Sequence, residues 1–189
     1  IGLGQLRAPS PAGILITETY SGGATFGNII GGTAPGEGNR LAAGNNGVRI
    51  VGNTSGHAVI GNPLLTGTIT GVSIIGSPNN RIGGPTAAER NVISGSGKFG
   101  EEGCPYGTQV VINDSSNTIL EGNYIGTVED GSAAYPNQRG TEGVAVVNSN
   151  SVVVRGNLIS GIKIGGFNHC NGQVFGTALL VSGNSTGTV

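Results

Sequence analysis

The stretch that decides the fold runs from Asn117 to Val147 and reads NTILEGNYIGTVEDGSAAYPNQRGTEGVAVV. It contains two short apolar strands joined at Gly122-Asn123, then a long polar loop, and then a Gly-led strand that starts the same order again. Strands, tight bend and loop repeating in a fixed order are typical of one turn of a solenoid. The stretch therefore predicts a coil that the rest of the chain repeats.

The first strand of this unit recurs along the chain as a glycine followed by alternating apolar residues. Its six copies begin at Gly13, Gly47, Gly71, Gly107, Gly143 and Gly176. The spacings are 34, 24, 36, 36 and 33 residues, which indicates a minimal unit near 24 with insertions of unequal length. Alternate residues of these strands should stack inside the coil, about 4.8 Å apart from coil to coil. The predicted inward residues are Ile14, Ile16, Val48, Ile50, Val72, Ile74, Val110, Ile112, Val144 and Val146.

A second marker in each unit is an asparagine next to an apolar pair. It occurs at Asn39, Asn62, Asn91, Asn123 and Asn157. Asparagine fits tight bends, and its amide can bond to the same amide one coil away. We therefore expect these five residues to lie along a single edge and to have a structural role.

Composition agrees with a solenoid and excludes other classes. Glycine accounts for 38 of 189 residues, and its periodic placement at strand starts and bends indicates corners rather than disorder. No window has apolar residues at helical spacing for three turns, which predicts almost no helix. The net charge of −1, with basic residues spread singly, excludes a nucleic-acid footprint. The sequence contains no run of 18 apolar residues, so it does not predict a membrane span.

The segment NRIGGPTAAERNVISG, residues 80 to 95, and the stretch from Asn117 to Val147 resemble a known family. They are similar to the right-handed parallel β-helix repeats of large bacterial secreted and surface proteins, in the pectate-lyase-like and NosD-like superfamily. The likeness covers roughly residues 13 to 184. It implies an all-β fold, a right-handed parallel β-helix of about six coils. We expect residues 1–12 to be a lead-in or cap and 13–189 a single β-helix domain that is truncated or continues.

Three long loops emerge from one corner of the predicted coil, between the last strand of one coil and the first strand of the next. They span residues 96–106, 127–142 and 161–175, and we call this edge the loop corner. They hold five of the eight aromatic residues, both cysteines and the densest charge of the chain. Insertions on one side of a solenoid often form the binding face. The candidate binding residues are Tyr106, Tyr135, Glu101, Glu129, Asp130, Arg139 and His169.

The two cysteines, Cys104 and Cys170, fall in equivalent loops two coils apart. Two coils span roughly 9 to 10 Å, whereas a disulfide needs Cα atoms within about 7 Å. Flexible loops could close that gap, so a disulfide and two free thiols both remain open. The sequence contains no CxxC motif and no paired-histidine spacing, so it does not predict a metal site. His57 is expected to be a surface residue beside a turn.

Catalysis is the alternative to a binding role. The resemblance implies a cluster of aspartates in the glycosidases of this fold, but the chain has only Asp114 and Asp130, on different parts of the coil. If chemistry occurs, the best pair lies among Glu101, Glu102, Glu129 and Asp130. The outward side of the first strand, where such sites usually lie in that superfamily, carries Leu15, Arg49, Ser73, Val111 and Ala145, with Arg49 as the only charge.

Two hypotheses follow from the sequence. The first is a non-catalytic extracellular or cell-surface β-helix, a segment of a surface, adhesive or filament-forming protein. Its contacts to a glycan, a protein or another copy would use the corner loops or the stacked end coils. The second is a polysaccharide lyase or glycoside hydrolase. Neither hypothesis calls for a cofactor.

Overall fold

The computed structural model describes residues 12–18, 23–42, 44–99, 105–136, 140–162 and 176–188. Nearly all regular structure in these residues is β-strand, and the one helical element is a turn of 3-10 helix at Ala87–Glu89. Most strands belong to three parallel sheets. Each sheet takes one strand from successive segments of the chain, which is the order expected of an all-β solenoid.

We number the coils by their strand in the first sheet. The first-sheet strands are Ala12–Thr17, Asn46–Val51, Thr70–Ile75, Thr108–Asn113, Glu142–Val147 and Thr177–Ser182. The second-sheet strands are Ile29–Gly31, Ala58–Ile60, Arg81–Gly83, Ile119–Glu121, Val152–Arg155 and Gly187–Thr188. The third-sheet strands are Arg40–Ala42, Leu64–Thr66, Val92–Ile93, Tyr124–Ile125 and Leu158–Ile159.

Two short strand pairs lie outside these sheets. Thr25–Phe26 of coil one runs parallel to Thr54–Ser55 of coil two, near the bend between the first and second sheets. Lys98–Phe99 and Pro105–Tyr106 pair in antiparallel fashion at the loop corner. The second pair joins the two ends of the loop that links coil three to coil four.

The predicted inward residues form two continuous columns. Val110 pairs in register with Val72 and Val144, and Ile112 pairs with Ile74 and Val146. The predicted inward side chains of coils two to five are buried, while Ile14 and Ile16 of coil one are partly buried against the same core. The alternation of apolar residues therefore predicted this core correctly, because alternate side chains of a strand point to opposite faces.

The register differs from simple glycine alignment in coil four. Thr108 pairs with Thr70, which places Gln109 rather than Gly107 opposite Gly71. The Gln109 side chain is fully buried and bonds to both main-chain groups of Ser96, at 3.1 Å each. The glutamine amide thus acts as a strand partner for the start of the loop that leaves coil three.

The five marker asparagines lie along one edge, as predicted, at the bend between the second and third sheets. Each one bonds to the next: Asn39 to Asn62, Asn62 to Asn91, Asn91 to Asn123, and Asn123 to Asn157. The side-chain distances of these four bonds are 3.1, 2.8, 2.9 and 3.0 Å. We call this row the Asn ladder. It satisfies main-chain groups that the bend would otherwise bury without partners.

A second ladder follows the bend between the first and second sheets. The Ser77 nitrogen donates to the Ser115 hydroxyl at 3.1 Å, the Ser115 nitrogen donates to Ser149 at 2.9 Å, and the Ser149 nitrogen donates to Ser185 at 3.1 Å. Thr54 continues the row in coil two, with its hydroxyl 2.8 Å from that of Ser77. This row was not predicted from the sequence. The available signal was a serine or threonine two or three residues after each of these first-sheet strands.

Candidate functional site

The described part of the long loop after coil four, residues 127–136, folds back on itself. The Val128 nitrogen donates to the Ala133 carbonyl at 3.0 Å, and the Tyr135 nitrogen donates to the Gly126 carbonyl at 2.9 Å. Thr127 and Ala134 form an antiparallel bridge. The loop is therefore a compact hairpin, which we call the strap.

The strap lies over the outward side of the third sheet. A Cβ placed on Gly131 would lie 2.9 Å from the Leu158 side chain and 2.9 Å from the Tyr124 ring. These two residues belong to an outward column that also contains Val92, which is buried although it faces away from the core. The strap thus covers apolar surface that the sheet alone would leave in water.

Glu129 of the strap forms an ion pair with Arg40 of coil one, at 2.5 Å. The strap begins in coil four, so this contact bridges about three strand spacings, or roughly 14 Å along the stack. Both side chains are more than half exposed. This pairing was not predicted, because nothing in the sequence relates residue 40 to residue 129.

Asp130 is used inside the strap. Its Oδ1 accepts hydrogen bonds from the Ser132 hydroxyl at 2.6 Å and the Ser132 nitrogen at 2.9 Å. These bonds hold the pKa of Asp130 below its ordinary value because they stabilise the carboxylate, and the bond from the Ser132 hydroxyl contributes most. An aspartate with a lowered pKa is poorly suited to act as a general acid near neutral pH.

Tyr135 is half-buried and packs against coil three. A Cβ on Gly95 would lie 2.7 Å from the Tyr135 ring and 3.2 Å from the Thr66 hydroxyl. Only a glycine at position 95 lets the ring approach this closely. Tyr135 is therefore held by packing and presents part of its ring to solvent.

Tyr106 is the more exposed of the two candidate tyrosines, with 38% of its surface accessible. It pairs with Lys98 across the antiparallel strands, and the Lys98 Nζ lies 5.3 Å from the ring centroid. This distance is within the range of a cation–π contact. The loop corner thus presents an aromatic ring and an ammonium group together.

A shallow groove of about 330 Å³ joins these features. Its lining residues are Ala42, Thr66, Gly67, Thr68, Gly95, Gly97 and Lys98. Glycines and a small alanine form the floor, while threonine hydroxyls and the Lys98 ammonium supply polar groups. Two of the lining residues also contact the candidate tyrosines, Gly95 contacting the Tyr135 ring and Lys98 the Tyr106 ring.

The remaining candidates lie outside the described residues. They are Glu101, Arg139, His169, Cys104 and Cys170, together with Glu102. Their predicted role in binding, and the question of a disulfide, stay predictions. Of the seven candidate binding residues, the structure therefore describes Tyr106, Tyr135, Glu129 and Asp130, of which Glu129 and Asp130 already have partners within the chain.

Other acidic side chains of the described residues also bond within the chain. Glu121 accepts two bonds from Arg155, at 2.8 and 3.1 Å, and Glu142 accepts one from the Thr108 hydroxyl at 2.6 Å. Glu89 pairs with Arg81 at 2.6 Å. In the same part of the chain, no three residues among His, Cys, Asp and Glu lie close enough to hold a metal ion.

The outward face of the first sheet follows the predicted register, with Leu15 beside Arg49, Arg49 beside Ser73, and Val111 beside Ala145. Ser73 and Ala145 are buried although they point outward, because their side chains are short and their neighbours stand taller. Acidic residues and aromatic rings are absent from this row. It offers little that could hold a ligand.

The prediction that His57 is a surface residue was wrong. Its side chain is 1% exposed and lies between Asn28 of coil one and Asn80 of coil three. His57 stands directly before the second-sheet strand Ala58–Ile60, at the position that Asn28 and Asn80 occupy in the neighbouring coils, and this position faces into the stack. The signal that could have revealed this was an asparagine directly before the second-sheet strands of coils one and three.

Comparisons with known proteins leave the family open. No protein-family profile matches the chain, and neither the curated proteins nor the solved structures gave a match. Among the described residues, no helix is long and apolar enough to cross a membrane.

Proposed function

We propose that the chain is a non-catalytic segment of an extracellular β-helix protein of the surface, adhesive or filament-forming kind. The coils would be right-handed, since connections between parallel strands take that hand in nearly all proteins. Three parallel sheets in coil order support this proposal. So does the resemblance of residues 80 to 95 and 117 to 147 to β-helix repeats of the pectate-lyase-like and NosD-like superfamily.

One observation carries the non-catalytic part of the proposal. The acidic groups Glu89, Glu121, Glu129, Asp130 and Glu142 each have a partner within the chain. Hydrolysis of a glycosidic bond needs two carboxylates facing one substrate at a defined separation, one of them able to donate a proton. These carboxylates are instead dispersed over different strands and loops, where they hold turns and neighbouring coils together.

The contact surface in this proposal is the loop corner. Tyr106, Lys98 and the hydroxyls of the groove combine an aromatic face, a positive charge and hydrogen-bonding groups. Aromatic rings with polar tips are well suited to stack on sugar faces or to fill a pocket of a protein partner. A ligand lying in the groove would touch coils one to three at once, because its lining comes from all three.

Stacked ends are the second mode of contact that we propose. In the described residues, the strands of coil one form the edge of all three sheets. An edge strand presents unpaired main-chain groups that can pair with another chain. Sedimentation velocity over a range of concentrations measures this mode separately from ligand binding.

The test uses an array of immobilised polysaccharides with neutral and with anionic main chains. We expect binding by the parent protein that is lost when Tyr106→Ala and Lys98→Ala are combined. The matched control combines Leu15→Ala and Arg49→Ala on the outward face of the first sheet, and it should bind normally. Melting temperatures should remain close to that of the parent in both variants, because all four side chains are largely exposed or outward-facing.

Two results would count against the proposal. Binding that survives the loop-corner variant and disappears in the Arg49 variant would place the contact on the sheet face. Release of new reducing ends, or of unsaturated sugar products, from the same polysaccharides would favour the alternative, a lyase or glycoside hydrolase. Replacement of Glu101 and Glu102 by glutamine would then be the first step toward locating the catalytic groups.

A further inference from the structure

His57 occupies a column of polar residues at the start of the second sheet. Ala58 pairs with Ile29 on one side and with Arg81 on the other, which places Asn28, His57 and Asn80 in line across coils one, two and three. The His57 main-chain nitrogen donates to the Asn80 Oδ1 at 2.9 Å. The histidine thus takes the place of an asparagine in this column.

The imidazole bonds to coil one through a single nitrogen. The Asn28 main-chain nitrogen donates to the His57 Nδ1 at 3.1 Å, and the Asn28 amide nitrogen lies 3.3 Å from the same atom. A ring nitrogen that accepts from a main-chain N–H has a free lone pair, so the ring is neutral and carries its proton on Nε2. Within the described residues, Nε2 is buried and has no hydrogen-bond partner.

We propose that His57 makes the joint between coils one and two sensitive to acid. When a proton from solvent binds Nδ1, that atom becomes a donor facing the Asn28 N–H, and the hydrogen bond between the coils is lost. The imidazolium would then have two N–H groups in a buried site where Nε2 makes no hydrogen bond. Separation of coil one lets both groups bind water, and the charge therefore favours the opened joint.

The described surroundings of His57 contain no charged group that would stabilise the imidazolium. The groups that bond to it come from Asn28 and Asn80, and the nearby main chain of Thr25 is also uncharged. Burial lowers the pKa of His57 from its ordinary 6.5, and the Thr25 main chain opposes this with a smaller raising effect. No acidic side chain contributes to this pKa, so no ion pair replaces the bond that protonation breaks.

The direction of the pH effect follows from linkage. The closed joint binds a proton less readily than the open one, whose histidine titrates near 6.5. Stability of the joint is therefore complete above about 6.5 and falls as the pH drops toward the lowered value. In that window the opening equilibrium should rise by up to about tenfold for each pH unit.

Coil one is the part of the stack that can open without disrupting the others. Its strands form the edge of all three described sheets, and its first-sheet residues Ile14 and Ile16 are only partly buried. Phe26 and Ile29, which flank the contact with His57, are 67% and 65% exposed. Apolar burial at this joint rests mainly on Ala12, Ile30 and Leu41, and it is less than the burial between two interior coils.

The test compares the parent protein with His57→Asn, which restores the residue of the two neighbouring positions in the column. His169→Asn is the matched control, because it removes the second of the chain's two histidines. Hydrogen exchange of the Asn28 and Ala58 amides is measured from pH 7.5 to 5 and corrected for intrinsic rates. We expect opening to increase severalfold on acidification in the parent and in His169→Asn, and to stay constant in His57→Asn.

Equal pH dependence in all three proteins would overturn the proposal. So would acid opening that begins at another joint, such as that between coils four and five. If His57→Asn does not fold at pH 7.5, NMR titration of the parent's His57 ring provides the decision. A His57 pKa below 6.5, with exchange of the Asn28 amide increasing over the same pH range, supports the proposal. Titration of the ring at or above 6.5 contradicts it.

Discussion

Asn91 and Asn123, one coil apart, are joined twice: the Asn91 Nδ2 lies 2.9 Å and the Asn91 main-chain nitrogen lies 3.3 Å from the Asn123 Oδ1. Asn91 receives the same two bonds from Asn62, at 2.8 and 3.1 Å. One side chain therefore satisfies the bend of its own coil and the bend of the next. This repeated exchange makes the Asn ladder directional, because each residue donates toward the later coil.

Removal of an interior rung should cost far more than removal of the first rung. Asn91→Ala removes the acceptor of the buried Asn62 main-chain nitrogen and the amide bonds to Val59 and Asn123, and we expect a loss of about 3 kcal/mol. Asn39→Ala is the matched control, since Asn39 is half-buried and bonds to the ladder on one side, and it should cost about 1 kcal/mol. Urea unfolding measures both, and equal losses would contradict the ladder.

Glycine at position 122, directly before the ladder residue Asn123, is required for space as well as for backbone conformation. Gly122 has φ +68°, and a Cβ there would collide with the carbonyl oxygen of Gly84. Gly27 has a similar φ of +63°, but a Cβ there would meet no atom within 4 Å. Gly27→Ala should therefore cost about 1–2 kcal/mol from backbone strain alone. Gly122→Ala should cost at least about 2 kcal/mol more, because main-chain atoms must also move.

This pair of glycine variants is compared by denaturant unfolding under identical conditions. Both glycines donate their main-chain N–H to the neighbouring coil, at 3.2 Å for Gly122 and 3.3 Å for Gly27, so the bonding is matched. A Gly122→Ala loss no larger than that of Gly27→Ala would show that the coils can separate slightly at this bend.

The core and the Asn ladder could be predicted from the sequence because both repeat with the coil. Alternation in Gly71-Val-Ser-Ile already separates Val72 and Ile74 from Ser73, and the structure buries the two apolar residues in the core. Sequence period and packing period coincide wherever each coil contacts only its neighbours. The row of serines that begins at Ser77 also repeats with the coil, but its sequence pattern is weaker and did not predict it.

Contacts that break the period could not be predicted in this way. The Arg40 to Glu129 pair joins coil one to an insertion of coil four, and its geometry depends on how the strap folds. His57 is buried at a position that repeats in the coils, but histidine itself does not recur there, so the residue type gave no sign of the burial. For the loop corner, composition identified Tyr106 and Tyr135, whereas the groove lined by Gly95 and Lys98 depends on how residues of three coils come together.

Glu89 and Glu129 should respond differently to substitution by glutamine. Glu89 accepts bonds from Arg81, the Thr86 hydroxyl and the Thr86 nitrogen, and the Arg81 bond contributes most to lowering its pKa. Glu89→Gln should therefore lower the melting temperature at neutral pH. Glu129→Gln breaks an exposed pair and should change stability by less than about 0.5 kcal/mol.

The sign of the pH dependence gives a second readout for Glu89. A carboxylate with a lowered pKa stabilises the folded state above the ordinary value of 4.5, and this contribution is lost as the pH falls through the lowered value. The difference in melting temperature between the parent and Glu89→Gln should therefore shrink as the pH is taken below 4.5. A difference that is unchanged in acid would mean that the carboxylate charge is not responsible.

Neighbouring coils share one continuous core, and adjacent residues of a single strand test this most directly. Ile112 is fully buried between Ile74 and Val146, while Val111 points outward and is half-buried. Thermal melting with hydrogen exchange of Ile112→Asp and Val111→Asp is the decisive measurement. We predict that Ile112→Asp, by burying an unpaired carboxylate at a cost of several kcal/mol, exposes the first-sheet amides of coils three, four and five together. Val111→Asp should melt close to the parent, whereas similar melting of both variants, or exposure confined to coil four, would contradict the shared core.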